Sequence, residues 1–547
     1  MSKFKMRFIW VPLLIVLALL VGVYIGQRSS SINFLKALQS YQFSKVDRLV
    51  SLIDQQYVDS VDTDKLIEEA IPTIVNELDP HSVYIPAKDL QATNEQLEGS
   101  FSGIGVSFNI QKDTIMVISV IAGGPSERIG LLPGDRIVEI NDSTFTGDAV
   151  SNDAVMKKLR GEKGSTVKLG IKRNSSDEIL DFEIVRGDIP VNSVDASFLI
   201  DNNIGFIKIS KFGRTTYEEF VTALAKLSIM GAKSYIIDLR GNSGGYMDMA
   251  INMVNEFLPK DMLIVYTEGK SMPRSDVFSN GAGSFTDTPV VVLIDEWSAS
   301  ASEIFAGAIQ DNDRGLIIGR RSFGKGLVQQ QFPFADSSAI RLTIARYHTP
   351  SGRSIQKEYE MGKGEDYQMD LINRFEHGEF YSKDSIKQND SLQYKTINGR
   401  TVYGGGGIMP DVFVPHDTTG ITSYLNEVVN KGLIYQFAFN YSDKNREKLS
   451  EFKTYDEIQS YLNKQPLLDQ FTSFAASKGV KRRPVYIRIS KDIIIKQIES
   501  YIIRNITNEE NFYRSFYRDD ENLQEAIERI KNNQTIPQIE IIQSDNI

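Results

Sequence analysis

The stretch from Leu293 to Gln329 reads LIDEWSASASEIFAGAIQDNDRGLIIGRRSFGKGLVQ. Its first residues form an apolar, strand-like segment, and a cluster of small residues then leads into a helix that begins after Ser300. A strand, a tight turn and a helix in this order are typical of an α/β unit. Lys325 follows further along, between two glycines. We take Ser300 and Lys325 as the candidates for chemistry in this unit.

The rest of the sequence narrows the choice of catalytic groups. The chain has no cysteine and four histidines, so a thiol nucleophile is excluded. A serine nucleophile needs a general base. The histidines do not lie in a glycine-rich setting, whereas Lys325 lies between Gly324 and Gly326. Because burial can keep a lysine neutral and able to act as a base, we interpret the pair as a Ser/Lys dyad.

Ser300 also has a purely structural interpretation. Ser300 and Glu303 have the spacing of a helix capping box, in which each side chain bonds the other residue's amide. Ser298 and Ser302 are competing nucleophiles in the same cluster. The functional interpretation depends on the helix start, because free N–H groups and the helix dipole there stabilise an oxyanion.

Two backbone positions are candidate oxyanion donors. The Ala301 N–H lies at the predicted helix start. A second donor can come from the turn Gly244-Gly245, which follows the strand-like YIIDLR, because glycines let backbone amides approach a reacting carbonyl. A simple helix-entry turn that requires positive φ is compatible with the same residues.

A phosphate-binding loop is the rival interpretation of the lysine segment, since Gly319 to Lys325 fits G-x-x-x-x-G-K. That motif requires Ser or Thr next, followed by a helix. Here Gly326 follows, and residues 327–332 look like a strand.

His81, in the turn 79–82, has no His or Cys partner nearby in the sequence to form a metal site. We therefore expect no nucleotide, metal or other cofactor.

Length and charge limit the class of protein. A chain of 547 residues predicts about three or four domains. The net charge of −10 argues against a nucleic-acid partner, because such proteins display a basic face. The oligomeric state is left open by the sequence.

The N-terminus predicts a membrane segment. Residues Phe8 to Gly26 form an uncharged, largely apolar run preceded by Lys3, Lys5 and Arg7. Such a run is long enough to cross a bilayer, and the preceding positive charges predict that the N-terminus stays inside. We favour a retained anchor, with a cleaved signal peptide as the alternative. The bulk of the protein is expected on the extracytoplasmic, periplasmic side of the cell envelope.

The periodicity of apolar residues changes along the chain. Residues 33–78 read as helical, and residues 97–186 read as short strands with one helix near Asn152 to Leu159. The polar, aperiodic segment 357–400 is expected to be a surface loop. We predict five regions: an anchor or signal segment (1–30), a helical region (31–96), a β-rich module (97–187), an α/β core (188–416) and a helical extension (417–547).

Two motifs of the β-rich module resemble a PDZ domain. SGIGV at residues 102–106 looks like the PDZ carboxylate-binding loop, and the segment from Gly123 to Asp135 resembles the family's G-x-x-x-G-D turn. Glycines let backbone N–H groups converge on a terminal carboxylate, while the next strand edge pairs with the peptide. A plain hairpin is the alternative. The predicted peptide-binding residues are Gly103, Ile104, Gly105 and Val106.

Together with this module, four further motifs resemble the carboxyl-terminal processing peptidases, also called tail-specific proteases. They are LIDEWSASASEIFAGAIQDN, SFGKGLVQ, IIDLRGNSGG and TIARYHTPSGRSIQ, and the similarity covers Phe43 to Pro415. The resemblance implies an α+β multidomain protein. Its parts would be a crotonase/ClpP-like α/β protease core with an inserted PDZ domain, a helical N-terminal segment and a helical C-terminal extension.

The resemblance also implies roles for individual residues. It places the nucleophile on Ser300, the general base on Lys325 and the lysine-orienting residue on Gln329. The oxyanion donors fall on the amide of Ala301 and on a glycine of the 244–245 turn, with Gly244 favoured and Gly245 left open. No catalytic group of the family pattern is missing from this sequence.

The predicted function is that of a serine endopeptidase whose PDZ domain captures the free C-terminal tail of a protein or peptide substrate. One rival is a non-catalytic PDZ scaffold that binds tails without cutting them. The other is a crotonase-type acyl-CoA enzyme with the same core fold. An export segment and a peptide-binding module argue against a cytosolic thioester substrate.

Overall fold

A computed structural model describes residues 16–18 and 45–537, except residues 112, 122, 148, 149, 174, 175, 177 and 202. The membrane segment predicted from Phe8 to Gly26 lies outside the described residues, apart from residues 16–18. Among the residues that are described, no helix combines the length and the apolar character needed to cross a bilayer.

The chain divides into two units, residues 1–75 and 76–547. The first unit contains helix α1 (Lys45–Gln56) and nearly all of helix α2 (Thr63–Asn76). Both helices carry an aspartate in the first turn, where a negative charge complements the helix dipole. The helical prediction is thus confirmed for the described part of this region.

The second unit begins with strand β1 (Val83–Ile85) and helix α3 (Ala87–Glu98). Helix α3 ends at Gly99, whose φ of 81° is a left-handed conformation that glycine adopts without a steric penalty. The chain then enters the β-rich module.

The β-rich module is an antiparallel sheet with the predicted helix Asn152–Leu159 and a second, four-residue helix Pro125–Arg128 that the sequence did not indicate. Its strands follow the order β3-β4-β5-β7-β8, with β6 beside β5, so β3 stands at one edge. A separate ribbon of β2 and β9 joins the module to the core. The elements are β2 (Ser100–Gly103), β3 (Val106–Gln111), β4 (Thr114–Val120), α4 (Pro125–Arg128), β5 (Arg136–Ile140), β6 (Ser143–Thr144), α5 (Asn152–Leu159), β7 (Thr166–Lys172), β8 (Ile179–Val185) and β9 (Gly187–Pro190).

The α/β core is built on a sheet of order β10-β11-β12-β15-β16-β21, in which every pair except β10 with β11 is parallel. Strands β11 and β15 are buried along their whole length, as expected for strands covered on both faces. The elements are β10 (Val194–Ile200), β11 (Ile204–Ile209), α6 (Thr216–Ile229), β12 (Ser234–Asp238), α7 (Met247–Asn255), β15 (Val290–Ile294), α8 (Ala301–Asp311), β16 (Leu316–Gly319) and β21 (Val412–Phe413).

A second, antiparallel sheet forms the other wall of the core. Its order is β1-β18-β13-β14, and β17 also pairs with the long strand β18. The strands are β13 (Leu263–Glu268), β14 (Ser275–Phe278), β17 (Leu327–Pro333) and β18 (Ala339–His348). The glycine turn follows β12 and the serine cluster follows β15, and these strands are neighbours in the parallel sheet. Both loops therefore lie at the same sheet edge, while β17 carries Gln329 on the opposite wall.

The prediction that residues 357–400 form a surface loop is wrong. This segment contains helix α9 (Gly364–Glu376) and strand β19 (Gln393–Lys395), which pairs with β20 (Thr401–Tyr403). Arg374 on α9 is buried and donates 3.0 Å to the Ser322 carbonyl and 2.7 Å to the Arg321 carbonyl. Because the buried groups are charged and paired, the segment reads as polar and lacks an apolar period.

The C-terminal extension is helical, as predicted, and its first part forms a core of its own. In addition, Leu523, Ala526 and Ile527 pack on Phe206 and other apolar side chains of the parallel sheet. They cover the face opposite to α6, α7 and α8. The helices are α10 (Ser423–Asn430), α11 (Leu433–Lys444), α12 (Arg446–Ser450), α13 (Tyr455–Leu462), α14 (Leu467–Ser477), α15 (Pro484–Ile489), α16 (Lys491–Ile506), α17 (Glu509–Phe516) and α18 (Glu521–Lys531).

The same extension also contacts the β-rich module. Phe439 packs against Met116 and Ile118, which both lie on β4. Arg446 donates a hydrogen bond of 2.9 Å to the Pro133 carbonyl in the turn after α4. The extension is therefore packed both on the module and on the α/β core.

Candidate active site

All the predicted catalytic and oxyanion residues line one cavity of about 600 Å³. They reach it from three elements: the glycine turn after β12, the start of α8 and the segment leading into β17. The residues are Ser300, Ala301, Lys325, Gln329, Gly244 and Gly245. Residues of α3, among them Thr93 and Leu97, line the same cavity.

The backbone at Ser300 is bent sharply between β15 and α8. Its φ of 55° and ψ of −113° form a combination that residues with a side chain rarely adopt, at a cost of about 1–3 kcal/mol. The Ser300 N–H donates 2.8 Å to Glu303 Oε2, which is one half of the predicted capping box. The Ser300 side chain lies on the cavity wall.

The two competing serines are fully buried and occupied by structural hydrogen bonds. Ser298 Oγ donates 2.9 Å to the Leu239 carbonyl, and Ser302 Oγ donates 2.8 Å to the Asn242 carbonyl. Both bonds tie the serine cluster to the glycine turn. Of the three serines in the cluster, Ser300 is the one that lines the cavity.

The glycine turn lies directly against Ser300. A Cβ atom at Gly244 would stand 2.7 Å from Ser300 Cβ and 3.0 Å from the Ala301 nitrogen, so only glycine fits. The Gly244 N–H donates 2.9 Å to Asn242 Oδ1. Within the described residues, the N–H groups of Gly245 and Ala301 have no hydrogen-bond acceptor. These two amides are therefore the ones free to receive an oxyanion.

Lys325 is held on the cavity wall by Gln329. Lys325 Nζ donates 3.0 Å to Gln329 Oε1, and Gln329 Nε2 in turn donates to the His81 carbonyl. Burial lowers the pKa of the Lys325 ammonium, and the Arg341 guanidinium lowers it further. No hydrogen bond between Lys325 Nζ and Ser300 Oγ is present among the described residues. The lysine thus has the environment of a base but is not bonded to the serine in this structure.

Glu303 links the serine helix to the lysine loop. Its fully buried carboxylate accepts hydrogen bonds from the N–H groups of Ser300 (2.8 Å), Gly324 (2.7 Å) and Lys325 (2.9 Å). Ser322 Oγ donates a fourth, at 2.5 Å. Burial raises the pKa of the Glu303 carboxyl to about 7, against the four hydrogen bonds, which favour the charged form. The sequence identified Glu303 as a capping residue and gave no sign of its bonds to the loop.

Tyr347 on β18 makes a second link between the same two segments. Its single hydroxyl hydrogen is shared between the Lys325 carbonyl and the Ser300 carbonyl, the latter at 3.0 Å. The side chain is fully buried, and burial raises the pKa of the phenol well above its usual value. The backbones of Ser300 and Lys325 are therefore fixed relative to each other from two directions.

His81 lies beside the lysine, which the sequence did not indicate. Its Nε2 is 2.7 Å from the Tyr367 hydroxyl, and its ring centroid lies 6.5 Å from that of Phe323. Burial and the nearby Lys325 charge lower the pKa of the imidazole to about 4, so the ring is neutral at neutral pH.

In the part of the chain that the structure describes, no group of three or more His, Asp and Glu is placed to bind a metal ion.

The predicted peptide-binding loop has the expected form. Gly103 ends β2, Val106 begins β3, and Gly105 has a φ of 80°. The Ile104 carbonyl accepts hydrogen bonds from Ser126 N (3.0 Å) and Ser126 Oγ (2.6 Å), which fixes the loop on α4. The neighbouring strand β3 pairs with β4 on one side, and its other edge is open within the module's sheet.

Comparisons with protein-family models match four parts of the chain. Residues 203–368 match peptidase family S41, and residues 102–184 match the PDZ domain. Residues 26–89 match the N-terminal domain of the activating protease CtpB. Residues 424–508 match a family of unknown function.

Two relatives and one solved structure that are similar to this chain are C-terminal processing proteases. A carboxy-terminal-processing protease of Bartonella bacilliformis is 38% identical over 58% of this chain and 73% of its own length. The carboxy-terminal processing protease CtpA of Bacillus subtilis is 37% identical over 61% of this chain and 70% of its own. A solved structure of a photosystem II D1 C-terminal processing protease is 26% identical, covers 56% of this chain and 88% of its own, and has a TM-score of 0.32.

The family and the fold class predicted from the motifs are thus confirmed. The chain belongs to the carboxy-terminal processing proteases of peptidase family S41, and it is a serine peptidase with a PDZ domain that hydrolyses peptide bonds.

Proposed function

We propose that hydrolysis uses Ser300 as the nucleophile and Lys325 as the general base, with Gln329 orienting the lysine. The observation that carries this proposal is that the three side chains line one cavity, while Ser298 and Ser302 are buried and hydrogen-bonded elsewhere. The lowered pKa of Lys325 supports it, because a base must be neutral to accept a proton.

In this mechanism Lys325 Nζ takes the proton of the Ser300 hydroxyl as Oγ bonds to the substrate carbonyl carbon. The carbonyl electron pair moves to the oxygen, which becomes an oxyanion. When it collapses, the C–N bond breaks and the lysine returns its proton to the leaving amine. A water molecule, deprotonated by the same lysine, then attacks the acyl carbon. The bond between the carbonyl carbon and Oγ then breaks, and the lysine returns its proton to Oγ, which regenerates the serine and the neutral lysine.

The amides of Ala301 and Gly245 would stabilise the oxyanion. Both belong to the cavity lining, and both are without an acceptor among the described residues. The hydrogen bond from the Gly244 N–H to Asn242 favours Gly245 over Gly244 as the second donor. Donors fixed before the reaction are effective because they need no reorganisation when charge develops.

We further propose that the PDZ domain captures the free C-terminal tail of a substrate. The tail would add as a strand to the open edge of β3, with its carboxylate at the loop formed by residues 103–106. Ile104 and the buried face of α5, which carries Val155 and Leu159, belong to one apolar cluster. The partly buried Val106 on β3 and Ala154 on α5 pack against this cluster, and these side chains would favour an apolar last residue.

Replacement of Ser300 or Lys325 by alanine should lower cleavage of an unfolded, apolar-tailed protein by at least about 1,000-fold, with little change in melting temperature. The reason is that each variant removes a group that takes part in bond formation. Electrophoresis of the substrate over time measures the loss. Ser302→Ala is the matched control and should keep measurable activity.

Full activity in Ser300→Ala would move the nucleophile to Ser298 or Ser302 and contradict the dyad. An uncut substrate after incubation with the unaltered protein would instead favour the tail-binding scaffold.

Gln329→Glu should shift the pH dependence of kcat/KM to higher pH. The neutral lysine is the active form, so the rate rises with pH as Lys325 loses its proton. A carboxylate in place of Gln329 Oε1, 3.0 Å from Nζ, stabilises the ammonium and raises its pKa, by about one unit or more. Gln330→Glu, at an exposed position on the other face of β17, should leave the profile unchanged. Identical profiles for all three proteins would contradict the role of Lys325 as base.

Amidation of the substrate's C-terminal carboxylate should raise KM about 10- to 150-fold and leave kcat nearly unchanged. The carboxylate would lose charge-assisted hydrogen bonds worth about 1.5–3 kcal/mol. Steady-state kinetics with the free and the amidated substrate measure the effect. In Gly105→Ala, where a φ of 80° disfavours a side chain, the difference between the two substrates should disappear. Equal KM values with the unaltered protein would argue against capture of the carboxylate.

We also propose that the run from Phe8 to Gly26 anchors the protein in a membrane, with the bulk on the extracytoplasmic side. A C-terminal fusion to a reporter enzyme that needs disulfide bonds for activity should be active in cells. The fusion should lose its activity when Lys3, Lys5 and Arg7 are replaced by glutamate, because the positive-inside preference is then removed. Activity of the reporter in both fusions would contradict the proposed orientation.

A further inference from the structure

We propose that Asp520 and Tyr517, in the loop between α17 and α18, position the oxyanion turn of the active site through Arg240. The inference rests on the oxyanion role proposed above for the turn 241–245. It assigns a function to residues of the C-terminal extension that lie outside the four ranges matched by family models.

The Arg240 side chain is hydrogen-bonded to Asp520 on one side and to Asp238 on the other. Its Nη1 donates to both carboxylate oxygens of Asp520, at 2.8 and 2.9 Å. Its guanidinium carbon lies 4.7 Å from the centroid of the Tyr517 ring, a cation–π distance. On the other side, Nη2 and Nε donate to Asp238, at 2.7 and 3.1 Å. A planar guanidinium held at two edges and one face has little freedom to rotate.

Asp238 ends β12 and is fully buried. Besides the guanidinium, it accepts the Arg240 backbone N–H at 2.9 Å and Lys208 Nζ at 3.3 Å. Side chain and backbone of Arg240 are thus fastened to one carboxylate. The direction in which the chain leaves residue 240 is therefore coupled to the position of the guanidinium.

The oxyanion turn, residues 241–245, follows directly after Arg240. The Gly241 N–H donates 2.9 Å to Asp295 Oδ1, which also accepts the N–H of Trp297. The Asn242 carbonyl accepts the Ala299 N–H at 3.0 Å. Two residues later, Gly244 packs on Ser300. A continuous set of contacts therefore connects Asp520 to the amides proposed to hold the oxyanion.

Asp520 is also the N-cap of α18, and some substitutions preserve this role. Its side chain caps α18 by accepting the Leu523 N–H at 2.9 Å. Asparagine and serine are also good N-caps. Asp520→Asn therefore keeps the cap of α18 and removes the charge that holds Arg240, and Asp520→Ser keeps the cap and removes both carboxylate oxygens.

The experiment compares kcat, KM, melting temperature and affinity for a peptide aldehyde in Asp520→Asn, Asp520→Ser and the unaltered protein. An aldehyde forms a tetrahedral adduct whose oxyanion occupies the same amides. We expect kcat to fall about tenfold or more, because a displacement of ~1 Å can cost about 100-fold. Aldehyde affinity should fall by a similar factor. KM should stay within about threefold, since peptide binding does not involve Arg240.

Glu510→Gln is the matched control. Glu510 lies on α17 and pairs with Lys226 of the core at 2.9 Å, so its loss also weakens the contact between extension and core. Arg240 makes no contact with this pair among its hydrogen bonds and ion pairs. The control should keep kcat and aldehyde affinity within about twofold of the unaltered protein.

Unchanged kcat and aldehyde affinity in both Asp520 variants would overturn the inference. An equal loss of kcat and melting temperature in the Asp520 variants and in Glu510→Gln would also overturn it, because it would indicate a general packing role. The proposed function fails separately, if Ser300→Ala remains active. Normal kinetics of the Asp520 variants with an inactive Ser300→Ala would reject the positioning role alone.

Discussion

The buried carboxylate of Glu303 is the interaction on which the active site depends. It sits in the first turn of α8, where the helix dipole favours negative charge. It accepts hydrogen bonds from both the serine side and the lysine side of the cavity. Because one acceptor serves both segments, the spacing between Ser300 and Lys325 is set without a direct bond between their side chains. Such a network tolerates no missing partner, since an unpaired buried carboxylate is costly.

Local patterns predicted many of the regular elements, and the residues proposed as catalytic line one cavity. Strand β15 is a short apolar run before small residues, and α8 begins where the capping spacing placed it. The motifs, through the family resemblance, predicted Ser300 as the nucleophile, Lys325 as the base and Gln329 as the residue that orients the lysine. What the sequence could not separate was Gly244 from Gly245. Both glycines have positive φ, and in the structure they differ because the Gly244 N–H donates to the side chain of Asn242.

The missed features are polar contacts between distant segments. Helix α9 buries Arg374 through pairing, so its segment has no apolar period to detect. The His81 group that holds Gln329 is a backbone carbonyl, which every residue carries and no residue type reveals. The sequence also did not predict that α18 packs on the parallel sheet, because an amphipathic pattern does not show which element the apolar face contacts. Periodicity indicates that a face is buried, but not against which element.

The cavity takes its lining from residues as far apart as Thr93 and Tyr347, and its sheet is covered by a helix that starts at Glu521. A ribosome delivers these pieces in order over the length of the chain. Ser300 is therefore synthesised well before the strand that carries Tyr347 and before the helix that shields the sheet. A partly made chain therefore lacks part of the wall that would hold a peptide against Ser300, so the proposed site becomes complete only after β18 has been synthesised.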